Sequence, residues 1–287
     1  MMDWPEVKAW RRKARQTILA ARTAIAAPVR TAMTQRIAER LKVLLSVRPQ
    51  PISFYWPIKG EPDFRPLMRE LDEAGMALCL PVAERLGEPL KFRPWTRAAK
   101  MARGFWDIPV PADPTEVTPR TLIAPVIGYD GLSYRLGYGG GFFDRTLAKL
   151  AGEAEAIGVG TSLFRLKTIQ PQPHDIRMAA IVTQTGSLQR DEIRPASEVC
   201  YLDEADHIYA GYDTPAETAA ALASLRGAIP PERLGLLDYA LWRLEQPEIA
   251  VEPEPRPPLE VLAGILPRIR DDALHATVSA LHASLLV

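Results

Sequence analysis

The sequence predicts an α/β fold, a three-layer sandwich in which helices cover both faces of a largely parallel sheet, followed by a helical C-terminal appendage. Short strand-like runs alternate with helical segments over residues 1–195, and such alternation favours parallel strands. After residue 195 the glycine-rich loops disappear and Ala, Leu and Glu dominate. With 47% apolar residues, the 287-residue chain can bury a substantial core.

The helices are predicted from apolar residues that recur every three or four positions. The first runs from about Val7 to Ile25, with Arg and Lys between its apolar residues. A second begins near Pro28, because proline is tolerated in a first helical turn, and ends before Pro49. Further helices are predicted at residues 63–74 and 142–150, and in the appendage at 214–226, 231–244 and 271–286.

The strands are predicted from short apolar runs bounded by proline or glycine. The run at 121–126 is almost wholly apolar, as expected for a strand buried on both faces. The complete predicted set is 52–56, 77–80, 90–94, 121–126, 156–159 and 180–183. Two domains follow: an α/β domain at residues 1–195 and a helical extension at 196–287. Residues 247–258 contain five prolines and three glutamates and are predicted to be a stiff linker.

The composition of the chain limits the classes of protein to which it can belong. Lys plus Arg balances Asp plus Glu at 35 each, which argues against a general nucleic-acid binder. We see no signal peptide and no apolar run of the ~18 residues that a membrane span needs. Cys79 and Cys200 provide no disulfide framework, and Cys79 lies in an apolar run that predicts a buried thiol. We therefore expect a cytoplasmic protein without nucleic-acid or membrane partners.

The glycine-rich stretch at residues 122–145 is the most informative part of the chain. A buried strand is followed by a loop with glycine at 137, 139, 140 and 141, and then by a helix. Glycines let backbone N–H groups approach a ligand, and a helix N-terminus attracts anions, so a phosphate site is indicated. Arg135 suits phosphate and Asp144 suits Mg²⁺. A merely flexible loop is the alternative, and neither G-x-G-x-x-G nor a P-loop is present.

These residues carry a family resemblance. Pro125, Asp130 and the run Arg-Leu-Gly-Tyr-Gly-Gly-Gly-Phe-Phe-Asp-Arg at 135–145 resemble the signature of the 5-formyltetrahydrofolate cyclo-ligase family. Further similar segments occur in the same order over about residues 6–190. They are the basic motif at 11–15, Glu61, Phe-Trp-Asp-Ile-Pro at 105–109, Pro-His-Asp at 173–175 and Ile-Val-Thr at 181–183.

The resemblance implies a Rossmann-like sheet of the NagB/RpiA/CoA-transferase-like kind. It also implies cyclisation of 5-formyltetrahydrofolate to 5,10-methenyltetrahydrofolate with ATP and Mg²⁺, through a phosphorylated formyl (imidate) intermediate that releases ADP and phosphate. Arg135 and Asp144 are the implied catalytic residues, and Asp144 and Asp175 the implied metal ligands. The implied ATP contacts are Arg11, Arg15, Arg135, Leu136, Gly137, Tyr138, Gly139, Gly140, Gly141, Phe142 and Phe143. The implied folate contacts are Glu61, Trp106, Tyr138, Gly139 and Gly140.

Three departures from the family pattern leave alternatives open. Phe142 and Phe143 stand where the family has at least one tyrosine, Arg11 stands where lysine is frequent, and Gln184 follows Thr183 where an acid is common. The alternatives are a folate-binding or interaction protein that has lost turnover, and another ATP- or phosphate-using enzyme on the same scaffold. The chemistry of His174 stays open, and no protein partner is implied.

Overall fold

The structure is a computed structural model that describes residues 3–190, 215–245, 258–269 and 271–285. The helices are α1 (Trp4–Ala24), α2 (Ala27–Leu45), α3 (Arg65–Glu73), α4 (Phe142–Lys149), α5 (Pro215–Ser224), α6 (Leu234–Leu244), α7 (Pro258–Ile265) and α8 (Asp272–Leu285). The strands are β1 (Ile52–Ser53), β2 (Leu78–Val82), β3 (Lys91–Trp95), β4 (Met101–Arg103), β5 (Pro109–Pro111), β6 (Thr121–Pro125), β7 (Gly128–Asp130), β8 (Arg135–Leu136), β9 (Glu155–Val159), β10 (Arg165–Leu166), β11 (Ala180–Val182) and β12 (Ser187–Gln189).

The chain forms two compact units. One contains residues 31–161 and 165–193 and holds the sheets. The other contains the described residues within 1–30, 162–164 and 194–287 and is helical. The predicted boundary at residue 195 and nearly all of the predicted linker at 247–258 lie outside the described residues, so both stay predictions.

The central sheet has seven strands in the order β12-β11-β9-β6-β1-β2-β3. The five inner strands run parallel to one another. The edge strands β3 and β12 pair antiparallel with their neighbours. The predicted α/β fold with a largely parallel sheet is thereby confirmed.

Alternate residues of the inner strands enter two separate apolar cores, as the two-residue period of a strand requires. Ile123 packs with residues of α2 and α3 on one face of the sheet. Its neighbours Leu122 and Ala124 pack with Leu147 of α4 on the other face. Strands buried on both faces explain the near-continuous apolar runs in the sequence. Cys79 lies in the second core, where burial raises the pKa of its thiol to about 12, as expected for an unreactive cysteine.

The strand order contains a topological switch point between β1 and β6. After β1 the chain adds β2 and β3 on one side, whereas β6 is followed by β9, β11 and β12 on the other. Open α/β sheets bind ligands in the crevice at the carboxyl ends of such a pair, because the following loops diverge there. The loop after β1 contains Glu61, and the segment after β6 leads to the glycine loop.

Several elements differ from the sequence prediction. The predicted strand at 52–56 is reduced to Ile52–Ser53, and Trp56 is followed by Pro57, which cannot donate a ladder hydrogen bond. The sequence prediction omitted the hairpin β4–β5 and the three-stranded sheet β10-β7-β8. These strands have two or three residues each, too few for a recognisable period.

The helical unit joins α1 to the C-terminal helices. The Trp10 and Trp242 rings lie 6.3 Å apart, and Arg233 Nη1 donates to the Ala24 carbonyl at 2.6 Å. A Cβ added to Gly235 of α6 would lie 2.5 Å from the Ala20 carbonyl oxygen, so this glycine permits close backbone contact with α1. None of the described helices is long and apolar enough to cross a bilayer.

Two substitutions on α2 test the packing of the sheet. Leu41 is fully buried, whereas Val43 on the same helix is 75% exposed. We expect Leu41→Ala to lower the free energy of unfolding by about 2–5 kcal/mol, through lost burial and a residual cavity. The control Val43→Ala should change it by less than about 0.5 kcal/mol. Urea unfolding followed by circular dichroism measures both, and equal effects would contradict the assigned core.

Candidate functional site

A buried aspartate anchors the segment that enters the glycine loop. Asp130 Oδ1 accepts hydrogen bonds from the N–H groups of Leu132 and Tyr134 at 3.0 and 3.1 Å. Its Oδ2 accepts one from the Ile169 N–H at 3.1 Å. Burial raises the pKa of Asp130, and the three backbone donors oppose that rise. The turn between β7 and β8 is thus fixed by one carboxylate, which also sets the position of Arg135.

The glycine loop at residues 137–141 connects β8 to α4. Gly139 and Gly141 have φ values of 95° and 65°, which side-chain-bearing residues rarely adopt. Gly141 is the N-cap of α4, and no side chain caps that end of the helix. The first-turn N–H groups and the helix dipole are therefore available to an anion.

Arg135 is the buried cation behind this loop. Only 5% of its side chain is exposed, and its Nη2 lies 3.0 Å from Asp144 Oδ2. Its Cζ lies 5.2 Å from the centroid of the Phe143 ring, and a Cβ on Gly137 would lie 2.6 Å from its Nη1. Burial lowers the pKa of Arg135, and the charges of Asp144 and Asp175 oppose that effect. Three neighbours thus hold the guanidinium beneath the loop.

The two predicted metal ligands lie near this guanidinium. Asp144 Oδ1 accepts from the Ile176 N–H at 3.4 Å, and Asp175 Oδ2 accepts from the Gln172 N–H at 2.6 Å. Within the described part of the chain, no group of three or more His, Cys, Asp or Glu side chains is arranged for a metal ion. Mg²⁺ at nucleotide sites is bound by one or two carboxylates together with phosphates of the ligand. The pair Asp144 and Asp175 therefore suits an ion that would also bind phosphate, and not an ion held by protein ligands alone.

Glu61 lies in a tight turn after β1. Its Oε2 accepts from the Ile58 N–H at 2.9 Å and its own N–H donates to the Ile58 carbonyl at 3.0 Å, which keeps the side chain buried. Lys59 and Gly60 in the same turn have positive φ values. The Lys59 Nζ lies 5.6 Å from the centroid of the Tyr138 ring. The structure therefore brings the Glu61 turn against the glycine loop.

Trp106 lies at the tip of the β4–β5 hairpin. Trp106 and Asp107 have φ values of 55° and 61°, and the tip is closed by the Gly104 N–H donating to the Ile108 carbonyl at 2.9 Å. The Trp106 ring is 61% exposed, and its centroid lies 5.5 Å from that of Phe142 at an interplanar angle of 86°. The exposed indole of Trp106 therefore lies beside the glycine loop, in edge contact with Phe142, the first residue of α4.

The predicted residues thus fall into two groups. The predicted site residues between positions 61 and 175 converge around the glycine loop. Arg11 and Arg15 instead lie on α1 of the helical unit. The contacts of these two arginines with a ligand stay a prediction. His174 is largely exposed, with its Nε2 4.0 Å from Asp175 Oδ1, which is too long for a hydrogen bond.

Sequence reasoning gave no role to two residues of this region, Lys59 and Arg145. Arg145 donates a hydrogen bond to the Gly140 carbonyl, and its Cζ lies 5.7 Å from the centroid of the Phe142 ring. The signal for Arg145 was available, because residues three apart on a helix share a face and it follows Phe142 by three. No sequence pattern indicated that Lys59 would reach Tyr138.

Known proteins with similar sequences share one description. The sequence model of the "5-formyltetrahydrofolate cyclo-ligase family" matches residues 7–184. A 5-formyltetrahydrofolate cyclo-ligase of Mycolicibacterium smegmatis is 33% identical over 148 residues, covering 48% of this chain and 76% of that protein. One from Escherichia coli is 28% identical over 159 residues, covering 53% and 87%. The resemblance seen in the sequence is confirmed.

Solved structures agree on the fold. The structure of the Aquifex aeolicus 5,10-methenyltetrahydrofolate synthetase has a TM-score of 0.57 and 23% identity, covering 67% of this chain and 98% of that one. The Mycoplasma pneumoniae 5,10-methenyltetrahydrofolate synthetase has a TM-score of 0.51 and 21% identity, covering 61% and 98%. At these identities the likeness supports the fold alone.

The Arg135–Asp144 pair can be tested by its effect on stability. We expect Asp144→Asn to destabilise the protein by about 3 kcal/mol, the lower end of the range for breaking a buried pair, because Asp175 still faces Arg135. The matched control is Glu70→Gln, since Glu70 and Lys42 form an ion pair with both side chains more than half exposed. That control should cost less than about 1 kcal/mol. Urea unfolding compares them, and an Asp144→Asn effect as small as the control would contradict a buried pair.

Proposed function

The chain belongs to the 5-formyltetrahydrofolate cyclo-ligase family, and we propose that it cyclises 5-formyltetrahydrofolate to 5,10-methenyltetrahydrofolate with ATP and Mg²⁺, releasing ADP and phosphate. The observation that carries the proposal is the buried Arg135 beneath an uncapped, glycine-lined helix N-terminus. It lies at the switch point of a parallel sheet, where a phosphate-bearing ligand is expected. The identity of the proposed substrate is inferred from membership of this family.

The first step is phosphoryl transfer to the formyl group. The formyl oxygen on N5 attacks the γ-phosphorus of ATP, the bond from that phosphorus to the ADP oxygen breaks, and a phosphorylated imidate forms. The protein's contribution is positioning and charge neutralisation. N–H groups of the glycine loop bind phosphate oxygens and Arg135 provides the positive charge. Arg11 and Arg15 are proposed as further phosphate contacts.

The second step closes the ring. N10 attacks the imidate carbon, the carbon–oxygen bond to phosphate breaks, and N10 loses its proton to solvent as the five-membered ring forms. Glu61 is proposed to bind the pterin or its formylated edge, because its carboxylate is already fixed by the Ile58 N–H. Trp106 is proposed to cover the folate, since an exposed indole offers a planar apolar surface.

Mg²⁺ would be held by Asp144 and Asp175. When bound, the ion would neutralise phosphate charge and align the γ-phosphoryl group. Burial lowers the pKa of Arg135, and the negative charge of the two aspartates opposes that effect. A metal–nucleotide complex would bring both a cation for the carboxylates and phosphate oxygens for the guanidinium, so charge in the buried site stays balanced.

The contacts of Phe142 and Phe143 favour catalysis over a protein that only binds folate. Each ring faces a guanidinium, with Arg145 beside Phe142 and Arg135 beside Phe143. The face of a phenyl ring attracts cations without a hydroxyl. The departure from the family's tyrosine therefore leaves the charged groups of the site in place.

The test mixes purified protein with 5-formyltetrahydrofolate, Mg²⁺ and ATP and follows the near-ultraviolet absorbance of the methenyl product. We expect a rise that requires ATP and is abolished by EDTA. Asp144→Ala should lower the rate by about 100-fold or more, because charge stabilisation in the transition state is lost. Glu61→Gln should weaken folate binding and leave ATP binding unchanged. Circular dichroism checks that each variant folds.

Other outcomes separate the alternatives. No absorbance change, with folate binding still measurable by calorimetry, would favour a binding protein without turnover. Phosphate release from ATP that does not require folate would favour another ATP-using enzyme. Neither turnover nor folate binding would exclude the proposed substrate.

A further inference from the structure

Three side chains form a continuous contact path along the edge of the site. We name Trp106, Phe142 and Arg145 the aromatic bridge. Trp106 meets Phe142 edge to face at 5.5 Å, and the guanidinium carbon of Arg145 lies 5.7 Å from the Phe142 centroid. Arg145 Nη2 then donates to the Gly140 carbonyl. The bridge therefore begins at a residue proposed to contact folate and ends at the loop proposed to contact ATP.

The backbone of the glycine loop lies in direct contact with this bridge. A Cβ at Gly140 would lie 2.9 Å from Phe142 Cδ2, and one at Gly141 would lie 2.7 Å from Arg145 Nη1. Gly141 also has a left-handed backbone, with φ at 65°. Because ring, guanidinium and loop backbone are in direct contact, a shift of either side chain must shift the loop or open a gap.

The hydrogen bond from Arg145 has a directional effect on the loop. It engages the Gly140 carbonyl, so this oxygen accepts a hydrogen bond from Arg145. A carbonyl oxygen turned toward phosphate would repel it, whereas the neighbouring N–H groups attract it. Arg145 is thus placed to hold the backbone of the glycine loop in one conformation.

The other end of the bridge is strained. Trp106 adopts φ 55° and ψ 28°, a left-handed conformation that bulky L-residues rarely adopt. Such a backbone persists only where surrounding contacts enforce it, and these positions concentrate at ligand-binding sites. The ring contacts of Trp106 are with Phe105, at 4.5 Å, and with Phe142. A ligand that packs on Trp106 would therefore fix Phe142 as well.

We propose that the aromatic bridge couples the binding of folate to the binding of ATP, with Phe142 and Arg145 as its positioning residues. Folate packed on Trp106 orders the Phe142 ring. The ordered ring holds Arg145 on the Gly140 carbonyl, so the loop is already fixed when the nucleotide arrives and less conformational entropy is lost. This inference rests on the proposed function, because it requires that the chain binds both ligands.

Coupling between folate binding and ATP binding predicts a relation between the two affinities that a purely structural role of the aromatic bridge does not predict. If folate raises the affinity for ATP by some factor, ATP must raise the affinity for folate by the same factor. Substituting a residue that only stabilises the start of α4 would weaken ATP binding equally with and without folate. The ratio of those two ATP affinities would then stay constant. The affinity ratio is therefore the readout that separates the two roles.

The experiment measures the Kd of a non-hydrolysable ATP analogue with Mg²⁺, by calorimetry, in the absence and presence of saturating 5-formyltetrahydrofolate. We expect folate to tighten binding by at least about fivefold, the low end of typical coupling. The reciprocal titration should give the same factor. Arg145→Met keeps the unbranched stem beside Phe142 but cannot donate to Gly140, so the factor should fall to about one while folate affinity without nucleotide is unchanged.

Conservative and matched variants complete the test. Phe142→Tyr retains the ring and should retain the factor, whereas Phe142→Leu should abolish it. Trp106→Leu alters an exposed side chain at a hairpin tip, so it is expected to fold, and it too should bring the factor to about one. The matched control is Arg85→Met, because Arg85 is a 79% exposed arginine paired with Glu88. It should leave the factor unchanged.

Each contrary result overturns the proposal. A factor of one in the wild-type protein, with both ligands bound, excludes coupling while leaving the proposed function intact. A full factor in both Arg145→Met and Trp106→Leu excludes the aromatic bridge as its route, and if Arg145→Met does not fold, Trp106→Leu alone decides. Failure of the wild-type protein to bind folate would overturn the proposed function itself, and with it the coupling.

Discussion

The parallel pairing of β1 and β6 is the constraint on which the site depends. Because the chain leaves these neighbouring strands toward opposite sides of the sheet, the segments that follow them diverge and leave a crevice. The turn containing Glu61 approaches from one side and the glycine loop from the other, and they meet where Lys59 lies beside Tyr138. Both strands are buried on both faces, so the packed core fixes the positions at which the two loops leave the sheet.

Within the crevice, the buried charge of Arg135 organises the polar groups around it. Arg135 is surrounded by Asp144, the Phe143 ring and the backbone at Gly137, and burial disfavours its charged form. A buried cation is costly unless it is paired, and here its partner is Asp144 in the first turn of α4. The same carboxylate therefore neutralises Arg135 in the structure and, in the proposed reaction, would also hold a metal ion.

The sequence was sufficient to predict the fold class and to locate the glycine loop, because periodicity and glycine spacing are local signals; the roles of the site residues stay predictions. It assigned Arg135 and Asp144 to separate ligands, because the eight residues between them conceal that their side chains meet. Trp106 was placed in the site only through family resemblance, and its left-handed backbone has no sequence signature. The apolar stripe of α1 predicted a buried face but not its partner, because a stripe does not specify which element covers it.

The contact of α1 with α6 has a consequence for how the chain is made. Arg233 and Ala24, which bond to each other, are 209 residues apart. At a synthesis rate of about 5–20 residues per second, α1 leaves the ribosome roughly 10–40 s before α6 exists to receive it. Throughout that interval apolar residues such as Ile18, fully buried in the finished protein, stay uncovered. The packing of α1 is thus among the last steps that can be completed as this part of the chain is synthesised.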